Sequence, residues 1–227
     1  MISIAIDGPS GAGKSTIAKY LANKCRFTYI DTGAMYRAVG WWALSHGVDP
    51  KNEEDVKMLL PEIEMKLWHD AAGMQRVSVC GIDVSEKIRM PEVSMAASDV
   101  SKIPEVRLKL VELQREIAQK QDVVMDGRDI ASYVLPDSQV KIFLTASVQE
   151  RARRRCKELQ DKGMKVEYKQ VLQEMQKRDE NDSSRAFAPL KKVEDAVEVD
   201  TTGLNLNEAC EKVLETVCAK LGWEMPA

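Results

Sequence analysis

The chain is poor in histidine. Its 227 residues hold two, His46 and His69, in unrelated settings. That argues against imidazole catalysis and a histidine-ligated metal, and both read as surface or packing residues. Positive charge is not in surplus either: 33 Lys and Arg stand against 36 Asp and Glu, for a net charge of −3. A protein that neutralises a polyanion or coats an anionic membrane needs such a surplus. Nucleic acid and membrane surface are therefore excluded as general partners, and any anion must be met by local clusters. No apolar run approaches the ~20 residues that span a bilayer. The five cysteines, Cys25, Cys80, Cys156, Cys210 and Cys218, form no C-x-x-C pair, the pattern of reduced thiols in a cytosolic protein. Met1 leads directly into a strand pattern, without the basic and apolar segments of a secretory leader. What the chain does have is length and 44% hydrophobic residues, enough for one domain with a substantial core and a small insert.

Its most informative stretch is Gly8-Pro9-Ser10-Gly11-Ala12-Gly13-Lys14-Ser15, between the apolar run Ile2–Ile6 and a helix-patterned segment. This is the spacing of a phosphate-binding loop. Glycines at 8, 11 and 13 admit turn conformations closed to residues with a Cβ. Successive N–H groups then point at phosphate oxygens beside the positive end of the following helix. Lys14 reaches the β- and γ-phosphates, and a hydroxyl from Ser15 or Thr16 ligates Mg²⁺, with Ser15 the first choice. The motif indicates nucleotide binding and is silent on the reaction.

Along the chain, apolar runs at 2–7, 27–30, 123–125, 140–144 and 196–199 read as core strands, alternating with helical patterns at 14–25, to about 45, 92–100, 104–120, 148–160, 167–182 and 207–221. Asn52 reads as a helix cap, Pro104 as a first helical position, Lys162-Gly163 as a helix break and Asp200-Thr201-Thr202 as the last cap. Period-two alternation over about 62–85, with turns at Ala72-Gly73 and Gly81, reads as a small antiparallel insert. The fold class is α/β: a five-stranded parallel sheet flanked by helices.

In such a sheet ligands bind beyond the carboxyl ends of the strands. Three ends carry polar groups: Gly8 to Ser15, Asp31-Thr32, and Asp126-Gly127-Arg128-Asp129. Asp126 reads either as a carboxylate that positions Mg²⁺ or as a helix cap. Arginines are the next signal. Arg37, Arg107 and Arg128 follow strand ends or helix starts. Arg178 and Arg185 are seven residues apart, on one face with Asp182 if a helix runs through them, although Asn181-Asp182-Ser183-Ser184 offers an end first. Arg151, Arg153, Arg154 and Arg155 crowd one helix. Like charges so close repel unless an anion joins them, and guanidinium groups grip phosphate oxygens. That segment reads either as a solvated face or as a mobile lid that excludes water.

Taken together, the phosphate loop with Thr16, Asp31-Thr32-Gly33-Ala34-Met35-Tyr36-Arg37, Asp126-Gly127-Arg128-Asp129, Glu150 to Arg155, and Arg185-Ala186-Phe187-Ala188-Pro189-Leu190 resemble the bacterial cytidylate kinase family, nearly end to end in order and spacing. The resemblance implies the fold of a P-loop nucleoside monophosphate kinase: a core of 1–31, 121–147 and 186–227, a monophosphate-binding region of 32–120 with the β insert, and a helical lid at about 148–166. It implies ATP-dependent, Mg²⁺-assisted conversion of CMP and dCMP to CDP and dCDP by a cytoplasmic monomer. ATP would lie on Gly8 to Thr16, and CMP on Thr32, Arg37, Ser98, Arg107, Arg128, Asp129, Arg178, Asp182 and Arg185. Lys14, Arg128, Arg154, Arg155 and Asp126 would act on the transferring group. The rivals are a kinase for adenylate, thymidylate or shikimate, and a nucleotide-dependent switch. A switch would carry a guanine-reading Asn-Lys-x-Asp, and the one Asn-Lys here, Asn23-Lys24-Cys25-Arg26, fails at the fourth position.

Overall fold

Strand β1 (Ser3–Asp7) is buried on both faces, with no exposed surface at Ile4, Ala5 or Ile6, as expected of a central strand in a parallel sheet. The computed structural model describes residues 1–161 and 163–225. From β1 the chain passes through α1 (Lys14–Cys25), β2 (Thr28–Asp31), α2 (Thr32–Ser45) and α3 (Glu53–Leu59). Three short strands come next, β3 (Met65–His69), β4 (Gln75–Val79) and β5 (Ile82–Asp83), then α4 (Pro91–Val100) and α5 (Pro104–Lys120). The remainder is β6 (Val123–Gly127), β7 (Val140–Thr145), α6 (Val148–Asp161), α7 (Tyr168–Ser183), β8 (Val197–Asp200) and α8 (Leu206–Leu221). These elements form two compact units: residues 1–29 with the chain from 118 onward, and residues 30–117.

The larger unit is built on a parallel sheet of order β2-β6-β1-β7-β8. One face is closed by α1 through Ile17 and Leu21 and by α8 through Val213, Leu214 and Val217, against Ile4, Ile6, Ile142 and Leu144. Each such aliphatic side chain contributes about 1.5–3 kcal/mol on burial. Helices α6 and α7 join through a smaller apolar cluster of Ala152, Cys156, Leu159, Val171 and Met175.

The smaller unit carries the insert. β3 and β4 pair antiparallel with Leu67 opposite Val77, and β5 adds to β4. Val77 and Val79 join Met35, Val39, Val93, Val106 and Leu110 in its core. Asp70 closes the tight turn by accepting from the amides of Ala72 and Met74 at 3.0 and 2.9 Å. Helix α2 crosses α4 closely at Gly40, where a Cβ would stand 2.9 Å from the Ala97 nitrogen.

Three boundaries depart from expectation or sharpen it. The last helix is capped not by Asp200 to Thr202 but by Asn205, which accepts from the Glu208 amide at 3.0 Å while Glu208 accepts from the Asn205 amide at 2.9 Å. Asp200 instead accepts from both the amide and the hydroxyl of Thr202, making a turn before the helix. Helix α7 ends at Ser183, so Arg185 lies beyond it. Helix α6 stops at Asp161, and of the expected break Gly163 takes φ 76° while Lys162 lies outside the described residues. Among the described residues no helix is long and apolar enough to cross a membrane.

Candidate active site

The phosphate loop of the larger unit owes its course to two glycines. Gly8 has φ 149°, and a Cβ there would overlap the Leu144 carbonyl oxygen of β7. Gly13 has φ 95° and stands at the N-cap of α1 without a side chain to cap it. α2, α3 and α8 differ: their first turns receive side-chain oxygens from Asp31, Asn52 and Asn205. The α1 start thus keeps its amides for another acceptor, as an anion site requires. Lys14 folds back over the loop and donates to the Pro9 carbonyl at 2.7 Å. Burial first, and the Arg128 guanidinium second, push its pKa well below the usual lysine range, against the opposing pull of Asp126 and Asp182.

The carboxylate at the end of β6 meets that loop. Asp126 accepts from the Ser15 hydroxyl at 3.0 Å and from the Tyr29 phenol at 2.9 Å. It caps no helix. Both its oxygens are held by hydroxyl groups, and Ser15 is one of them. Two residues further, Arg128 donates to Asp182 at 2.7 Å. Burial alone would raise the Asp182 pKa, yet the guanidinium groups of Arg128, Arg185 and Arg178 together hold it below the usual carboxylate range. Arg185, itself buried, donates from Nε to the Asp182 carbonyl at 3.3 Å. The structure therefore brings Lys14, Asp126, Arg128, Arg178, Asp182 and Arg185 into one electrostatically connected group, although all but Lys14 sit more than a hundred residues after the loop.

The arginine run of α6 divides. Arg151 is buried and donates to the Ser10 carbonyl at 3.0 Å and the Ala146 carbonyl at 2.9 Å, and pairs with Asp179 at 2.6 Å. Arg154 donates to the Thr201 carbonyl at 2.7 Å and hydroxyl at 3.1 Å, and that hydroxyl reaches the Ala12 carbonyl at 3.4 Å. Arg155 pairs with Glu158 at 2.8 Å, and Arg153 with Glu150 at 3.0 Å. The charges are thus joined by carboxylates of the protein, Glu150, Glu158 and Asp179, where the sequence suggested an outside anion.

On the smaller unit, Thr32 and Arg37 open α2. Asp31 caps that helix through the Ala34 amide at 2.9 Å and with its other oxygen pairs with Arg37 at 2.8 Å. Gln75 of β4 brackets Asp31, accepting from its amide at 2.8 Å and donating to its carbonyl at 3.3 Å. Ser98 is buried in α4, and its carbonyl accepts from Ser101 at 2.9 Å. Arg107 is 1% exposed, stacks its guanidinium 5.3 Å from the Tyr36 ring centroid and donates to the Ser101 carbonyl at 3.1 Å. Arg37 and Arg107 are thus each held by partners within their own unit.

Several residues at this site went unread in the sequence. Asp7 ends an apolar strand just as Asp31 and Asp126 do, so the strand-end signal was present for it too. Tyr29 carries a phenol that needs a partner when buried. Arg151 with Asp179 left no signal, since nothing local relates two residues on different helices.

A model of the family described as cytidylate kinase matches residues 4–219. The cytidylate kinase of Caldicellulosiruptor bescii is 53% identical over 216 residues, covering 94% of each chain, and that of Caldicellulosiruptor saccharolyticus is 51% identical over 99% of each. The Bacillus subtilis cytidylate kinase is 49% identical, over 95% of this chain and 96% of its own. Among solved structures, a gluconokinase from Sinorhizobium meliloti matches 96% of this chain and 92% of its own with a TM-score of 0.51 at 15% identity, a likeness of fold alone. On sequence, fold and site together, the chain belongs to the cytidylate kinase family.

Proposed function

We propose that the protein phosphorylates CMP and dCMP with ATP, giving CDP and dCDP. The observation that carries this reading is the gathering of Lys14, Arg128, Arg178 and Arg185 around Asp126 and Asp182, beside a helix start that no side chain caps. Cations held this close are poised for a multiply charged anion, which offsets their repulsion and favours the charged form of Lys14. ATP takes the loop Gly8 to Thr16, with Lys14 on its terminal phosphates. In the family pattern, Thr32 and Arg37 hold the phosphate of CMP and Ser98 and Arg107 its base. On the larger unit Arg128 takes the phosphate, Asp129 the base, and Arg178, Asp182 and Arg185 the sugar and phosphate.

An oxygen of the CMP phosphate attacks the γ-phosphorus of ATP in line. The new O–P bond forms as the bond to the β,γ-bridging oxygen breaks, and ADP leaves with the electron pair. The attacking oxygen is already anionic near neutral pH, so no strong base is required and the protein's task is positioning and charge stabilisation. Lys14 and Arg128 meet charge on the transferring group. Arg154, fixed on Thr201, and Arg155 supply the ATP side of a lid formed by α6 that excludes water.

The residues present fit Mg²⁺. The Ser15 hydroxyl and the Asp126 carboxylate, 3.0 Å apart, are hard oxygen donors, and Mg²⁺ favours one or two such ligands alongside substrate phosphates. When bound, the ion neutralises charge on the β- and γ-phosphates. We further assign the protein to the cytoplasm, in keeping with its bacterial relatives, and take it to act as a monomer.

The deciding experiment is an acceptor panel of CMP, dCMP, UMP, AMP, dTMP and shikimate with ATP. CMP and dCMP should turn over fastest. Equal or faster turnover of AMP, dTMP or shikimate would overturn the reading.

A further inference from the structure

Asp7, the last residue of β1, is 2% exposed and takes no part in the chemistry above. Its backbone pairs in the parallel ladder with Gly127. Its carboxylate then reaches past the strand end, where Oδ1 accepts from the Ile130 amide and Oδ2 from the Ala131 amide, both at 2.8 Å. One residue thus fixes the segment at the end of β6 at two places, and only Arg128 and Asp129 lie between them. The second fixed place also opens a wide helical turn, Ile130–Val134, in which the Asp129 carbonyl accepts from Tyr133 at 2.9 Å and Val134 at 3.1 Å. Two residues strung between anchors have little freedom to adjust, because their backbone must span a set distance in a set direction.

We infer that Asp7 is a positioning residue for the acceptor nucleotide, holding Arg128 and Asp129 in place by pinning the backbone on both sides of them. The inference rests on the CMP reading of the site. Asp7 itself touches neither nucleotide. Asn is nearly its equal in size but has one acceptor where Asp7 uses two, and its NH₂ group would face an amide N–H.

The charged groups facing the Asp7 carboxylate are Lys14, Arg128 and Asp129. Burial is the largest influence on its pKa, opposed by the two amide bonds and by Lys14 and reinforced by Asp129, and the outcome is a pKa of about 7. Protonation turns one acceptor oxygen into a hydroxyl and weakens one of the two bonds. The hold on the loop is therefore strongest above neutrality.

The test is steady-state kinetics of the full chain and of Asp7→Asn, with CMP and ATP varied separately from pH 6 to 8.5. At the alkaline end the variant should raise KM for CMP about tenfold, the scale of one lost hydrogen bond to a charged group, with KM for ATP within about twofold. A purely structural fault would reach the adjoining phosphate loop and move both. The variant-to-wild-type ratio of KM for CMP should shrink as pH falls through about 7, and taking the ratio cancels the titration of CMP itself. Parallel rises for ATP and CMP, or an unchanged KM for CMP, would overturn the inference. Amide hydrogen exchange gives a second measurement that needs neither turnover nor the variant. Ile130 and Ala131 should exchange slowly in wild type, and fast exchange at both overturns the inference whatever the acceptor proves to be. Failure of the CMP reading is distinguishable, since it shows in the wild-type acceptor panel alone.

Discussion

Lys14 and Arg185 both lie in the cation-rich group, yet they are held differently, and their substitutions should separate. Lys14 lies on the loop itself, bonded to the Pro9 carbonyl. Replacing it by Ala removes a charge that acts on the transferring phosphoryl group. We expect kcat to fall on the order of 10²–10³-fold, the usual cost of losing one preorganised stabilising donor, with CMP binding nearly intact by calorimetry. Equal losses in both would sink the division of roles. Arg185 holds Asp182 from beyond the end of α7, and Arg185→Ala should raise KM for CMP by about tenfold while leaving KM for ATP close to wild type. An unchanged KM for CMP would contradict it. At this scale the sequence was legible wherever a local rule places a residue. Glycine spacing located the loop, and the strand-end rule located Asp126 and Arg128. It failed for Asp7 because an acid closing an apolar strand next to a strong motif was absorbed into the motif. It failed for Tyr29 because a phenol partner lies on a strand distant in sequence.

At the scale of the element, some boundaries were legible in residues that cap or start helices: Asn52 before α3 and Pro104 at the start of α5. Where two caps competed, tertiary structure chose. Thr201 is drawn to the Thr145 and Ala12 carbonyls and Asp200 to Thr202, which leaves Asn205 to begin α8. Asn205→Ala should therefore cost about 1 kcal/mol of stability, read by denaturant unfolding, while Asp200→Ala should cost α8 little. The reverse order would mean that the capping box is not what starts this helix. The crossing of α2 over α4 at Gly40 was not legible at all. A glycine inside a helical pattern reads as a mild defect, and only the neighbouring backbone shows why a side chain is not admitted there.

For the whole molecule, the linkage between protonation and stability centres on Asp7. The folded protein keeps a proton there up to about pH 7, whereas its unfolded-state value is 3.8. Between those values the native state binds more protons than the unfolded one, so this group's contribution to stability falls as pH rises. Asp182 acts in the opposite sense, because its lowered pKa adds stability that is lost toward acid. Comparison with Asp7→Asn isolates the first effect. Wild type minus variant in unfolding free energy should decline from pH 3.8 to about 7 and level off above it; a flat difference across that window would show that Asp7 is ionised throughout.

The five thiols differ sharply in access to solvent. Cys156, Cys210 and Cys218 are buried and Cys25 is half-buried, but Cys80 is exposed on the turn that joins β4 to β5. A maleimide dye should therefore attach there first, giving an optical reporter on the inserted hairpin at natural sequence, without removing a single native cysteine.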